Sequence, residues 1–263
     1  MTQKFPTALI TGASSGIGRA LATCFAQNGY QLVLIARDVP KLNQVAGQLT
    51  QQYRVPVKVL PQNLARLGAA NAIAGQLKEA QITIDILVNN AGFGGFGYFW
   101  QRETAQELAM IQVNAMALTH LTRLLLPEMI AQGQGRILNV ASTAAFQPGP
   151  LMAVYYATKA YVLSFSEALA NELQGTGVSL TVLCPGPTAS GFQQAAQMEA
   201  SRLVKARKLM DAQTVAQAGY AGLMRGQVVV VPGLRNQVLA FSIRFLPRPI
   251  VRSLVRRMQS TLE

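Results

Sequence analysis

The chain has 263 residues and is short of several side chains on which whole enzyme classes depend. It has one histidine, His120, so a zinc centre or a Ser-His-Asp triad would have to be built around that single imidazole. His120 lies in a helical stretch, Ala117 to Arg123, with no nucleophile motif beside it, and reads as a structural residue. No metal site is expected. The two cysteines, Cys24 and Cys184, sit in apolar surroundings without a partner at a metal-binding or redox spacing, which marks them as buried packing residues. Half of the residues are hydrophobic, yet no stretch approaches the roughly 18 apolar residues of a membrane span. The opening residues pass straight into an apolar strand pattern, without the charged flank, apolar run and cleavage site of a secretory signal. This predicts a cytoplasmic protein.

Acidic residues are also scarce, 11 against 23 basic ones. The imbalance is uneven: residues 1–200 hold 12 Lys and Arg against 9 Asp and Glu, whereas residues 201–263 hold 11 against 2. The net charge of +12 is therefore largely a property of the C-terminal part. The basic residues come without a nucleic-acid reader motif, and nucleic acid is not expected as a partner.

What the chain does contain is an alternation. Apolar runs at 8–10, 31–36, 55–60, 84–88, 136–140, 179–184 and 228–231 read as strands. Helical patterns follow Gly18, cover 38–52, 66–80 and 104–131, and carry Tyr155 and Lys159. Nearly continuous apolar strands separated by helices imply a parallel sheet buried on both faces. The expected fold is a single α/β domain over 1–263, a Rossmann-type doubly wound parallel sheet with helices on both faces.

Thr11-Gly12-Ala13-Ser14-Ser15-Gly16-Ile17-Gly18 falls between the first strand and the first helix. Glycines let backbone approach a pyrophosphate there, and the helix N-terminus offers free N–H donors and a favourable dipole. The end of the second strand reads Leu34-Ile35-Ala36-Arg37, with Ala36 where an acidic residue would bind a ribose 2′-hydroxyl. The guanidinium of Arg37 can instead pair with a 2′-phosphate, which favours NADP(H) over NAD. Asp38 follows at once and works against that preference.

Tyr155 and Lys159 are spaced i, i+4, which puts both on one face of a helix, where an ammonium can favour the ionised phenol. With the Gly-rich turn at 11–18, Asn89-Asn90-Ala91-Gly92, Tyr155-Tyr156-Ala157-Thr158-Lys159 and Pro185-Gly186, the chain resembles the short-chain dehydrogenase/reductase family over about residues 5–190. The resemblance implies an oxidoreductase that moves a hydride between NADP(H) and an alcohol or carbonyl compound. It makes Tyr155 the general acid/base, Lys159 the residue that tunes it and holds the nicotinamide ribose, and Ser142 the hydroxyl that binds the substrate oxygen. Asn114 corresponds to the family's asparagine that links Lys159 to solvent through a water. Thr143, beside Ser142, is an alternative hydroxyl, and Tyr156 reads as a packing residue. Cofactor contacts are implied for Gly12, Ser14, Ser15, Gly16, Ile17, Gly18, Arg37, Asn63, Leu64, Asn89, Ala91, Gly92, Tyr155, Lys159, Pro185, Gly186 and either Thr188 or Ser190. Asn63-Leu64 stands where the family often has Asp-Leu, and the amide oxygen can still accept a hydrogen bond.

Residues 190–225 are expected to close over the substrate. Met198, Leu203, Val204, Leu209 and Met210 point to an apolar carbonyl compound or to ordinary packing, while Lys205, Arg207 and Lys208 either attract an acidic group or are simply solvated. Phe93, Phe96, Tyr98, Phe99 and Trp100 are expected to line the same pocket from a Gly-hinged loop. The last part, 235–263, alternates apolar clusters with arginines. Such an amphipathic stretch packs on the body or on a second subunit of a homo-oligomer, or lies on an anionic membrane surface as a membrane-peripheral segment. Packing is the favoured reading.

Overall fold

Short apolar runs, buried on both faces, form the sheet that positions everything else. The computed structural model describes residues 5–192, 196 and 209–259. Seven parallel strands lie in one sheet: β1 Thr7–Thr11, β2 Gln31–Ala36, β3 Val57–Pro61, β4 Ile86–Asn89, β5 Gly135–Val140, β6 Val178–Leu183 and, at the edge, the pair Val229–Val230. Their order is β3-β2-β1-β4-β5-β6 followed by Val229–Val230. A second, two-stranded parallel ribbon joins β7 Thr188–Ala189 to β8 Met210–Asp211, so the edge pair is β9. The doubly wound fold is as expected. The ribbon is not legible in the sequence, because two-residue strands carry no periodicity.

The helices are α1 Gly16–Gln27, α2 Val39–Tyr53, α3 Ala69–Glu79, α4 Thr104–Ile111, α5 Leu118–Ala131, α6 Ala153–Glu172, α7 Ala212–Met224, α8 Leu234–Ser242 and α9 Arg248–Gln259. One apolar cluster joins α1, α2 and α7 to one face of the sheet through Leu21, Phe25, Leu42 and Val215. Another joins α3 and α5 to the opposite face through Ile73, Leu121 and Met129. A full burial of such side chains contributes roughly 1.5–3 kcal/mol each. The expected helix over 104–131 is divided: a π-helical turn, Gln112–Ala117, separates α4 from α5. Wide turns of this kind come from one inserted residue and leave no compositional trace.

The strand order reverses between β1 and β4, and the chain leaves these two strands in opposite directions. The loops that leave their C-terminal ends therefore diverge and open a crevice, the place where doubly wound sheets hold ligands. Met198, Leu203, Val204, Lys205, Arg207 and Lys208 lie outside the described residues. The β7–β8 ribbon is extended by Met210 N–H, which donates to Pro187 O at 3.0 Å.

Candidate active site

A cavity of about 860 Å³ fills the crevice and runs from the Gly-rich turn to the C-terminal helices. Gly12, Ser14, Ser15, Gly16, Ile17, Gly18, Arg37, Asn63, Leu64, Ala91, Gly92, Ser142, Tyr155, Lys159, Pro185, Gly186, Thr188 and Ser190 all line it. The backbone dictates glycine at its floor. Gly12 has φ +68°, and a Cβ there would lie 2.8 Å from Asn90 Nδ2. A Cβ on Gly18 would lie 2.2 Å from Gly12 O. The N-cap residue Ser15 makes no side-chain capping bond and no acidic residue stands in the first turn of α1, so its first N–H groups are left for an anion. These observations fit the pyrophosphate of a dinucleotide.

At the end of β2, Asp38 does not oppose Arg37. Its carboxylate caps α2 by accepting from Lys41 N–H at 3.1 Å and pairs with Lys41 Nζ at 2.9 Å. The hydrogen bond from Lys41 holds its pKa below the ordinary carboxylate value. Arg37 is exposed, and neither ion pair among the described residues involves it. Asn63 Oδ1 accepts from Ala65 N–H at 3.1 Å, closing a local turn that holds Asn63 and Leu64 at the cavity wall. Thr188 Oγ1 donates to Gly186 O at 2.8 Å, and Ser190 Oγ donates to Thr188 O at 3.2 Å, so both hydroxyls order the loop after β6.

Two expected contacts are placed elsewhere. Asn89 does not line the cavity: it is buried, and its Nδ2 donates to Asn139 Oδ1 at 2.9 Å and Thr122 Oγ1 at 3.0 Å. Successive strand residues point to opposite faces, so its neighbour Asn90 takes the cavity side. There Asn90 Nδ2 donates to Thr11 O at 2.9 Å and ties the end of β4 to the Gly-rich turn. Asn114 stands behind the wall in the π turn. Its Oδ1 accepts from Phe93 N–H at 3.1 Å, and its Nδ2 donates to Phe93 O at 2.9 Å and Thr158 Oγ1 at 3.1 Å. A Cβ on Gly92 would be 3.1 Å from Asn114 Oδ1 and 3.3 Å from Lys159 Nζ, so these two side chains bracket that glycine.

Tyr155 and Lys159 share the inner face of α6 and are both buried. The Ser142 hydroxyl lines the same cavity as Tyr155, accepts from Ala144 N–H at 3.1 Å and donates to Pro185 O at 3.5 Å. Thr143 lines the cavity as well. Lys159 Nζ donates to Val140 O at 2.8 Å and lies 5.9 Å from the centre of the Tyr155 ring. Burial holds Tyr155 well above the ordinary tyrosine value and outweighs the lowering by the Ser142 hydroxyl. Burial also pushes Lys159 down to about 8. Cys184, buried nearby, is pushed up to about 12 by the same cause and stays a neutral thiol. Both cysteines are free and buried.

The rest of the wall is apolar and largely unforeseen. Phe93, Met152 and Phe192 surround Tyr155, with the Phe192 ring 5.1 Å away. Leu239, Ile243, Leu246, Val251, Leu254, Val255 and Met258 come from α8, α9 and the turn between them, so the basic C-terminal stretch packs on the body and closes the cavity. Gln259 donates to the Tyr156 hydroxyl, fastening α9 to α6. The loop after β4 also departs from expectation. Phe93 lines the cavity and Phe96 packs beside it, but Tyr98, Phe99 and Trp100 are exposed. Arg102 anchors this loop, pairing with Glu107 and donating to Phe96 O at 2.9 Å. His120 is exposed on α5. Among the described residues no three His, Cys, Asp or Glu side chains gather as a metal ion requires.

Residues 6–200 match the family described as short chain dehydrogenase. The chain is 36% identical over 184 residues to a very-long-chain 3-oxoacyl-CoA reductase of Anas platyrhynchos, covering 68% of this chain and 58% of that protein. A short-chain dehydrogenase from Sphingobium yanoikuyae, solved in complex with NADPH, superposes with a TM-score of 0.83 at 34% identity, over 92% of this chain and 93% of that one. A short-chain dehydrogenase/reductase from Burkholderia phymatum in complex with NAD gives a TM-score of 0.83 at 26% identity, over 100% and 99%.

Proposed function

The chain belongs to the short-chain dehydrogenase/reductase family, and from that premise we propose that it is an NADP(H)-dependent reductase of carbonyl compounds with an apolar body. The observation that carries this reading is the pair of hydroxyls, Ser142 and Tyr155, on the wall of one cavity with Lys159 and the glycine cradle. A nicotinamide cofactor bound there supplies or takes up the hydride.

The chain's own residues do the rest. A carbonyl oxygen placed against Ser142 and Tyr155 meets two hydroxyl donors, which steady the charge that grows on it. Tyr155 then gives up its proton to that oxygen. Its burial keeps the phenol protonated at neutral pH, the form a reduction needs. Lys159, buried and cationic below about pH 8, offsets the negative charge left on the phenolate. Asn114 is a positioning residue: it clamps Phe93 to Thr158 beside Lys159, where the solvent relay implied by the family would begin. Phe93, Met152 and Phe192 exclude water and favour an apolar substrate body.

Replacing the Tyr155 hydroxyl tests the reading. Tyr155→Phe should lower NADPH-dependent ketone reduction by about 100-fold or more, the range of general-acid contributions, while fluorescence titration shows NADPH binding within a few-fold. Unchanged turnover would remove the catalytic assignment.

The NADP preference rests on Arg37, with Asp38 engaged by Lys41. The double variant Ala36→Asp with Arg37→Ala should raise the NADPH Kd at least about tenfold, as expected for losing a charge-assisted hydrogen bond, and improve NADH. A preference for NADH in the unaltered protein contradicts it. The two unpaired thiols fit a reducing compartment such as the cytoplasm.

A further inference from the structure

The cavity opens onto a surface unlike the rest of the molecule. Leu239, Leu246 and Leu254 line the cavity and yet are 44%, 41% and 51% exposed, so they form a rim that faces both inward and outward. Next to the rim, the exposed rings of Phe241 and Phe245 touch edge to face, with centres 5.2 Å apart. The apolar side of α9 is only half covered: Val251 and Val255 are buried, while Ile250 and Leu254 face water. Contiguous exposed apolar groups of this kind mark a surface that meets something else.

Their surroundings say what that is. Arg235, Arg244, Arg248 and Arg252 are exposed among them, and no Asp or Glu occurs between Asp211 and Glu263. Neither ion pair of the described residues involves these arginines. A second copy of this chain would bring the same uncompensated positive charge against itself, so self-association through this face is disfavoured. An anionic lipid surface matches both properties, with phosphates for the guanidinium groups and acyl chains for the phenyl and leucyl groups. Arg256 donates to the Tyr98 hydroxyl at 2.9 Å and so holds Tyr98 and the 75%-exposed Trp100 at the edge of α9. Amphipathic rings of this type favour the headgroup level.

We propose that α8, α9 and the turn between them dock on an anionic phospholipid bilayer, and that the leucine rim admits a membrane-dissolved carbonyl compound to the cavity. The second clause rests on the reductase reading; the docking does not.

Full-length protein would be sedimented with vesicles of phosphatidylcholine alone or with one third phosphatidylglycerol. Binding to the anionic vesicles, release by high salt and absence from neutral vesicles are the expected results. Arg244→Glu with Arg248→Glu should weaken binding at least about tenfold, given several-fold per basic residue near an anionic surface. Phe241→Ser with Phe245→Ser should weaken it too. Both double variants should reduce a short water-soluble ketone at the normal rate. Binding to neither vesicle, equal binding to both, or binding that survives both double variants overturns the docking. A fall in sedimentation coefficient caused by the same variants without lipid also overturns it and assigns the face to a second copy. Vesicle binding is read without cofactor or turnover. A protein that docks but reduces no ketone therefore sinks the reductase reading alone.

Discussion

Two adjacent buried groups, Tyr155 and Lys159, respond to the same low dielectric in opposite ways. Burial favours the neutral form of each, so the phenol keeps its proton and the ammonium gives one up early. Activity should follow Lys159. Rates of ketone reduction at saturating NADPH should be level below neutrality and fall as pH rises through about 8, where the ammonium discharges. The fold should not fail there. The folded pKa of Lys159 lies below its unfolded value of 10.5, so between about 8 and 10 the unfolded chain binds more protons and stability rises with pH. A melting temperature that falls in step with activity over that window would refute this account. Tyr155, Ser142 and Lys159 were legible in the sequence because their roles depend on spacing along one helix and one neighbouring strand end. Asn89 falls away from the cavity because alternation along β4 assigns its side chain and that of Asn90 to opposite faces.

Among the elements, the strand-turn-helix at the start of the chain is the most constrained. Gly18→Ala would press a methyl against Gly12 O, a backbone atom that cannot swing aside. A loss of about 1–3 kcal/mol in stability is expected from such overpacking, with weaker NADPH binding in a fluorescence titration. Gly47, inside α2, meets no atom within 4 Å, so Gly47→Ala should stabilise by about 0.5–1 kcal/mol in the same denaturation experiment. Equal effects at the two positions would dismiss the steric argument. The strands and most helices were legible because burial on both faces writes itself as continuous apolar runs. The π turn was not, since it is a change of hydrogen-bond partner and not of composition. Nor was the use of α8 and α9 as cavity wall, which depends on a return from more than 60 residues beyond α6 in the chain.

For the molecule as a whole, a second group of exposed apolar side chains lies along α4, the π turn, α5 and α6. Leu108, Ile111, Met116, Leu124 and Tyr161 are exposed there, and Tyr161 reaches Thr119 at 2.8 Å to join α6 to α5. We propose that a second copy covers this face. Leu108→Glu with Met116→Glu should convert the species seen by sedimentation velocity to a monomer, and a wild-type protein that sediments as a monomer excludes the proposal.

The buried row Thr122, Asn89, Asn139 and Ser166 has a consequence for how the chain reaches this structure. β4 and β5 are short, similar runs, Ile86-Leu87-Val88-Asn89 and Ile137-Leu138-Asn139-Val140, and apolar contacts alone distinguish their alignments poorly. In the native register Asn89 stands opposite Asn139, and the two amides bond each other while Asn139 Nδ2 donates to Ser166 Oγ at 2.9 Å. A slip by one residue would send one amide to the other side of the sheet without a partner, at roughly 1–3 kcal/mol for each stranded group. The pair therefore ties the alignment of β4 with β5 to a hydrogen-bond penalty that apolar contacts alone would not impose.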